Sequence, residues 1–146
     1  MTELLQLKKG EKVLEVGTGS GYQASILVEM GVKVYSIERQ KLLYDRSRHL
    51  LKKLHYNVKC YYGDGYAGLP MFAPFDKIIV TAGAPYIPDA LTEQLKVGGR
   101  LVIPVGDGDI QTMIVIDKVS ETETVKEEYG KFRFVPLLGE KSWVRD

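Results

Sequence analysis

The sequence predicts an α/β fold, a doubly wound and mainly parallel sheet with an antiparallel C-terminal edge. Three observations predict it. Short apolar runs alternate with segments of helical period from residue 12 to residue 105. The run at residues 77–81 is apolar enough to be buried on both faces, as parallel strands are. Beyond residue 105 the alternation stops, and three strand-like runs follow with no helix between them.

The elements follow in order. Residues 12–16 are an apolar run ended by glycines, the pattern of a buried strand. Residues 20–30 place Ala24, Leu27, Val28 and Met30 mostly on one helical side, and Gly31 stops the helix. Residues 33–37 form the second strand. Over residues 40–54, Leu43, Ser47, Leu50 and Leu54 share a stripe, with Arg46, Arg48, Lys52 and Lys53 mostly elsewhere. Residues 57–62 read as a third strand, followed by a loop holding Gly63, Gly65, Gly68, Pro70 and Pro74. The fourth strand is residues 77–81. Pro88 suits the first turn of a helix over residues 88–95, which Gly98 and Gly99 would end. The fifth strand is residues 100–105, and the tail strands are residues 111–118, 125–129 and 132–135.

Composition narrows the function classes. At 146 residues and 16.4 kDa, residues 1–146 are expected to form a single domain with one self-sufficient core. Hydrophobic residues at 45% and charged ones at 27% exclude disorder as the dominant state. Twenty Lys+Arg against 19 Asp+Glu argue against a protein that holds nucleic acid chiefly by neutralising phosphates. Cys60 is the single cysteine, so neither an intrachain disulfide nor a cysteine-based metal cluster can form, and a reducing cytoplasm is the expected location. No run approaches the roughly 20 apolar residues of a membrane span. Residues 1–10 lack the order of a signal peptide. We therefore expect no membrane, nucleic-acid or metal partner.

In doubly wound sheets ligands bind beyond the carboxyl ends of the strands, so the loops there carry the functional reading. The first spans residues 13–22, VLEVGTGSGY. Gly17, Gly19 and Gly21 alternate around Thr18, with Glu15 two residues ahead. The dinucleotide fingerprint needs its third glycine one place later, where Tyr22 stands, so a pyrophosphate seat is not indicated. The acidic-x-Gly-x-Gly-x-Gly form instead resembles motif I of S-adenosylmethionine-dependent methyltransferases. An acidic side chain near that donor's ammonium is electrostatically sensible. An ordinary strand–helix turn is the alternative. Glu38, beside Arg39 at the end of the second strand, is placed to accept the hydroxyls of a ribose, or to serve as a solvated helix-start carboxylate. Gly63-Asp64-Gly65 ends the third strand; Asp64 can accept from an adenine amino group or simply shape a turn. Such signals at three successive strand ends point to an adenosylmethionine site.

From about residue 7 to residue 143 the chain resembles the protein-L-isoaspartate O-methyltransferase family. The resemblance rests on VLEVGTGSGYQ, the Gly-Asp-Gly at residues 63–65 and FDKIIVTAGAPYIP at residues 75–88. It continues through LKVGGRLVIPVG at residues 95–106 and FRFVPLL at residues 132–138. It implies a Rossmann-like methyltransferase sheet that binds S-adenosyl-L-methionine and releases S-adenosyl-L-homocysteine. It implies transfer of the methyl group to the free α-carboxylate of isoaspartyl residues in damaged proteins. Ala82, Gly83 and Ala84 would leave room for a substrate backbone, and the strand ending at Val135 would pair with it. Trp143, with Lys141 and Ser142, would lie over the donor or form a loosely packed end. No catalytic side chain is expected here. The family's serine lies in a Thr-Ile-Ser-Gln-Pro segment that these 146 residues do not contain, so the chain alone is expected to bind donor more weakly than a longer relative and to transfer little. The alternatives are an inactive cofactor-binding module, or a methyltransferase acting on a small molecule or RNA. Cys60, His49 and His55 are expected to be structural or surface residues.

Overall fold

The computed structural model describes residues 1–133. Strands β1 (Lys12–Val16), β2 (Lys33–Glu38), β3 (Val58–Tyr62), β4 (Phe75–Val80) and β5 (Leu95–Val105) are joined in parallel; β6 (Ile110–Lys118) and β7 (Thr124–Arg133) complete the sheet antiparallel. Their spatial order is β3-β2-β1-β4-β5-β6-β7. The chain winds outward from β1 to β3, then returns to lay β4 on the other side of β1. That reversal opens a crevice at the carboxyl ends of β1 and β4.

Strand residues alternate between two cores. Leu14, Val16, Ile78, Val80, Leu101 and Ile103 face a layer completed by Leu91 of α4 (Asp89–Glu93). Val13, Ile79, Val102 and Val115 face α1 (Thr2–Leu5), α2 (Tyr22–Glu29) and α3 (Lys41–Lys53), which contribute Leu5, Ala24, Leu27 and Leu51. The predicted sheet is present, with four local differences.

First, α3 rests on the sheet along the row Leu43, Ser47, Leu51. Leu51 is 3% exposed, whereas Leu50 and Leu54, which the sequence placed in the stripe, are 46% and 55% exposed. Positions 43, 47 and 51 follow one i+4 row, and a helix lying on a sheet buries little beyond that row. Second, the helical alternation lapses between β3 and β4, where the expected loop stands and no α-helix joins the strands. A 3₁₀ turn, Pro70–Phe72, takes its place. The Phe72 ring packs on Tyr35 and Tyr61 at 5.1 and 5.2 Å, and Tyr35 meets Phe75 edge-on at 5.7 Å. The Lys12 ammonium lies over Tyr35 and Phe75 and donates to the Phe72 carbonyl. This aromatic cluster covers the face that a crossover helix would cover.

Third, Gly98 and Gly99 belong to β5 and do not end a helix. α4 stops at Gln94, with Pro88 just ahead of its first turn, because the Gln94 carboxamide is drawn into the preceding loop: it accepts from Leu69 N and donates to Ala67 O. Between the Phe75–Leu95 and Lys77–Arg100 pairs β5 bulges, and a Cβ on Gly99 would stand 2.8 Å from the Asp76 carbonyl oxygen. Fourth, the runs expected at residues 125–129 and 132–135 are one strand, β7, which absorbs a register shift opposite residues 112–114. Residues 134 and 135 lie outside the described residues.

The N-terminal turn is tied to the far side of the sheet. Arg100 grips the Asp117 carboxylate through Nε and Nη2 at 2.7 and 2.9 Å, and its Nη1 donates to the Leu4 carbonyl at 2.9 Å. Lys77 Nζ reaches the Gln6 carbonyl at 3.4 Å. Among the described residues no helix is long and apolar enough to cross a membrane.

The α3 packing makes a direct test. Leu51→Ala is expected to lower unfolding free energy by about 2–4 kcal/mol in urea titrations, whereas Leu50→Ala should cost less than about 1 kcal/mol. Equal losses would contradict the observed face.

Candidate functional site

The crevice is built from the loops that follow β1, β2, β3 and β4. Between β1 and α2 the loop of residues 17–21 is fastened on two sides. The Thr81 hydroxyl lies 2.6 Å from the Gly17 carbonyl oxygen and 3.1 Å from that of Val16. Gly17 N–H donates to Ile37 O at 2.9 Å. A Cβ on Gly17, where φ is +97°, would stand 2.8 Å from the Thr81 hydroxyl oxygen, so this position tolerates only glycine. Gly21 approaches Leu51 similarly. Gly19 differs. Its φ of +54° is also left-handed, yet a Cβ there would meet nothing within 4 Å. The loop therefore turns a bare backbone toward open space at Gly19.

Glu38 closes β2 beside it and is almost fully buried. One carboxylate oxygen accepts from Gly19 N–H at 2.8 Å and the other from Gln40 N–H at 2.9 Å. Each oxygen keeps a lone pair for a further donor. Arg39, next in sequence, is exposed.

Glu15 lies beneath the loop with no exposed surface. Ser36 Oγ is hydrogen-bonded to Glu15 Oε1 at 2.6 Å and stands 2.5 Å from Thr18 Oγ1, while among the described residues Glu15 Oε2 has no hydrogen-bond partner. Burial pushes the Glu15 carboxyl up to about 8; the Ser36 bond opposes this and the Glu38 charge adds to it. The expected acidic residue is thus present, but behind the loop.

After β3, Gly63 N–H donates to the Glu38 carbonyl at 3.0 Å, and the Asp64 carboxylate accepts from Tyr66 N–H at 2.9 Å in a tight turn. Gly65 is buried. The Tyr66 ring, 8% exposed, stacks on Tyr86 from the loop after β4, with centroids 5.6 Å apart. Among the described residues its buried hydroxyl has no partner, and desolvation raises it to about 12. Asp64, Tyr66, Tyr86, Pro88 and Asp89 border a cleft of about 310 Å³.

In the loop after β4, Ala84 N–H and C=O are both committed, to Pro104 O and Gly106 N–H, so its backbone offers nothing to a ligand. Gly83 rests on the buried Gln111 side chain, which donates to Gly108 O at 2.6 Å, and Ala82 is half-buried. The structure thus gathers the glycine loop, Glu38, residues 63–65 and residues 82–84 at one end of the sheet. Val135, Lys141, Ser142 and Trp143 lie outside the described residues. His49 and His55 are exposed, and Cys60 is half-buried with its thiol pushed up to about 11 by burial.

Sequence reasoning missed Ser36, Tyr66, Thr81, Tyr86 and Gln111. A signal existed for some of them. Ser36 interrupts an apolar strand two residues before an acid, and the two tyrosines each follow a turn former, Gly65 or Pro85.

Comparison with known proteins agrees with this geometry. The family model described as Protein-L-isoaspartate(D-aspartate) O-methyltransferase matches residues 1–142. A protein-L-isoaspartate O-methyltransferase of Christiangramia forsetii is 61% identical over 142 residues, covering 97% of this chain and 66% of the relative. One of Cytophaga hutchinsonii is 56% identical, covering 97% and 64%. The chain thus spans just under two thirds of these curated relatives. A solved protein-L-isoaspartate O-methyltransferase superposes with a TM-score of 0.89 at 30% identity, covering 96% of this chain and 46% of that one. A Plasmodium falciparum structure, described as a putative member in complex with S-adenosyl-L-homocysteine, gives 0.76 at 26% identity, covering 94% and 70%.

The buried carboxyl has a stability signature. The unfolded chain releases the Glu15 proton near 4.5, whereas the folded chain holds it until about 8. Between those values the fold binds more protons than the unfolded chain, so its stability falls as pH rises. Relative to Glu15→Gln, the wild type is expected to lose up to about 1.4 kcal/mol per pH unit across this window, read from denaturation midpoints. Parallel profiles for the two chains would show that Glu15 is ionised throughout.

Proposed function

Because the chain belongs to the protein-L-isoaspartate(D-aspartate) O-methyltransferase family, we propose that it is the donor-binding sheet and part of the substrate wall of a methyltransferase that repairs proteins at L-isoaspartyl residues. The observation that carries this reading is the bare backbone at Gly19, bonded to a carboxylate with spare lone pairs, at the end of the sheet that also holds an aromatic-walled cleft. These features fit S-adenosyl-L-methionine, which has no phosphate to need a basic seat.

Gly17, Thr18, Gly19 and Gly21 would carry the amino-acid part of the donor. Glu38 would accept from the ribose hydroxyls with Arg39 at the rim, and Gly63, Asp64 and Gly65 would receive the adenine, with Tyr66 and Tyr86 as walls. When bound, the donor supplies an electrophilic methyl group on a sulfonium and is left as S-adenosyl-L-homocysteine. Ala82 and Gly83 would admit the substrate backbone, Ala84 would hold that loop to β5, and Val135 belongs to the segment proposed to pair with the peptide. The acceptor is the free α-carboxylate, which ionises near pH 4 and needs no general base. The work of the chain is alignment, together with exclusion of water from a reaction between opposite charges. Substrates would be isoaspartyl proteins, and the lone thiol of Cys60 suits a reducing cytoplasm.

Two measurements test the reading. Given labelled donor, an isoaspartyl peptide should take up a base-labile methyl ester, slowly with this chain alone. The matching aspartyl peptide and RNA should take up none; label in either of those would overturn the assignment, and binding without any transfer would favour the inactive module. Separately, Gly19→Ala should fold with a melting temperature lowered by only about 3 °C, since its methyl meets open space and the left-handed backbone costs about 1 kcal/mol. The same variant should weaken donor binding more than tenfold by calorimetry. Unchanged affinity would move the donor site away from the glycine loop.

A further inference from the structure

Glu15 has no surface, yet it lies two hydroxyls away from the glycine loop. Across β1, β2 and β3 the residues Glu15, Ser36 and Cys60 stand in register. They belong to the face shared with Val13, Ala24, Leu27 and Leu51. Of the two carboxyl oxygens, one is paired with Ser36 and the other, among the described residues, with nothing. The charged and titratable groups around it give no compensation. Lys77 of β4 is occupied with the Gln6 carbonyl and with Glu11 at 3.9 Å. Arg48 of α3 lies over the Tyr44 ring, the Cys60 thiol of β3 is neutral, and α2 presents the apolar Ala24, Leu27 and Val28 to this core. Glu38, two residues beyond Ser36 on β2, accepts from two backbone N–H donors. A second carboxylate buried nearby is the one that keeps a proton.

We propose that Glu15 is a proton-linked positioning residue of the donor site: protonated in the donor-free chain, it releases its proton to solvent when a cationic donor settles on the glycine loop. This rests on the donor reading above. The coupling runs through hydroxyls that can point either way. With Glu15 protonated, its O–H donates to Ser36 and Ser36 donates to Thr18. With Glu15 ionised, Thr18 donates to Ser36 and Ser36 to Glu15, so the Thr18 hydrogen turns away from the loop. The 2.5 Å contact between Thr18 Oγ1 and Ser36 Oγ accommodates both directions. A donor carrying a sulfonium and an ammonium favours the ionised state across a low-dielectric loop. Glu15 touches no ligand and acts through Ser36 and Thr18.

Two readouts on the 146-residue chain test this. Without donor, carbon-13 spectra of the glutamate carboxyls should contain one resonance titrating near 8 that is missing in Glu15→Gln; a Glu15 midpoint below about 6 overturns the proposal. With S-adenosyl-L-methionine at pH 7, calorimetry in buffers of different ionisation enthalpy counts protons, and Glu15→Gln cancels those of the donor itself. The wild type should release at least about half a proton more per donor than the variant. Its affinity, relative to the variant, should weaken by up to about tenfold per unit as pH falls from 8 to 6. Equal proton counts with intact binding overturn the linkage and leave the donor site standing. Absence of binding in both chains overturns both.

Discussion

Strands β1 and β4 are covered on both faces, and that double burial constrains everything around them. Val13, Leu14, Ile78 and Ile79 are fully buried in the two apolar clusters and, the buried pair Glu15 and Ser36 apart, polar groups are served where the strands end. The crevice between the two carboxyl ends is such a place. The loop after β1 must leave the sheet without lifting off it, and the Thr81 hydroxyl, drawn close to the Gly17 carbonyl, holds it down. Any side chain at residue 17 would force β1 and β4 apart at that point. The bare backbone at Gly19 is thus a product of the packing beneath it.

The strands were legible in the sequence because double burial writes itself as unbroken apolar runs, and the antiparallel edge because its runs lack intervening helices. The loops were legible because glycine and acid at strand ends have few other uses in such sheets. What was lost depended on contacts distant in the chain. Leu50 and Leu51 are equally apolar, and only the seat of α3 on the sheet distinguishes them. Gly98 and Gly99 look like a helix stop until the register shift of β5 against β4 is known. The Phe72 cluster gives no periodic signal, since its members come from β2, β3, β4 and a turn. Ser36 and Gln111 act inside the protein, where sequence shows a polar residue but not whom it serves.

Electrostatics divides the two ends of the sheet. The carboxyl ends gather Glu15, Glu38, Asp64 and Asp89, while the amino ends carry Lys12, Lys33, Lys59 and Lys77 beside Glu11 and Asp76, with Lys12 and Lys59 over aromatic rings. A net charge of +1 conceals this separation. An acidic mouth suits a cationic ligand, and it makes the innermost carboxyl costly to ionise until such a ligand arrives.

Arg100 joins parts of the chain that are made at very different times. Its grip on the Leu4 carbonyl spans 96 residues, and it is oriented by a carboxylate on β6. α1 also meets α2 through Thr2 and Gln23, and Lys77 of β4 reaches the Gln6 carbonyl, so the Arg100 contact is the part of its docking that waits until β5 is in the sheet and β6 has turned back along it. The last hydrogen bond of the N-terminal turn thus depends on β5 and β6 having paired in register.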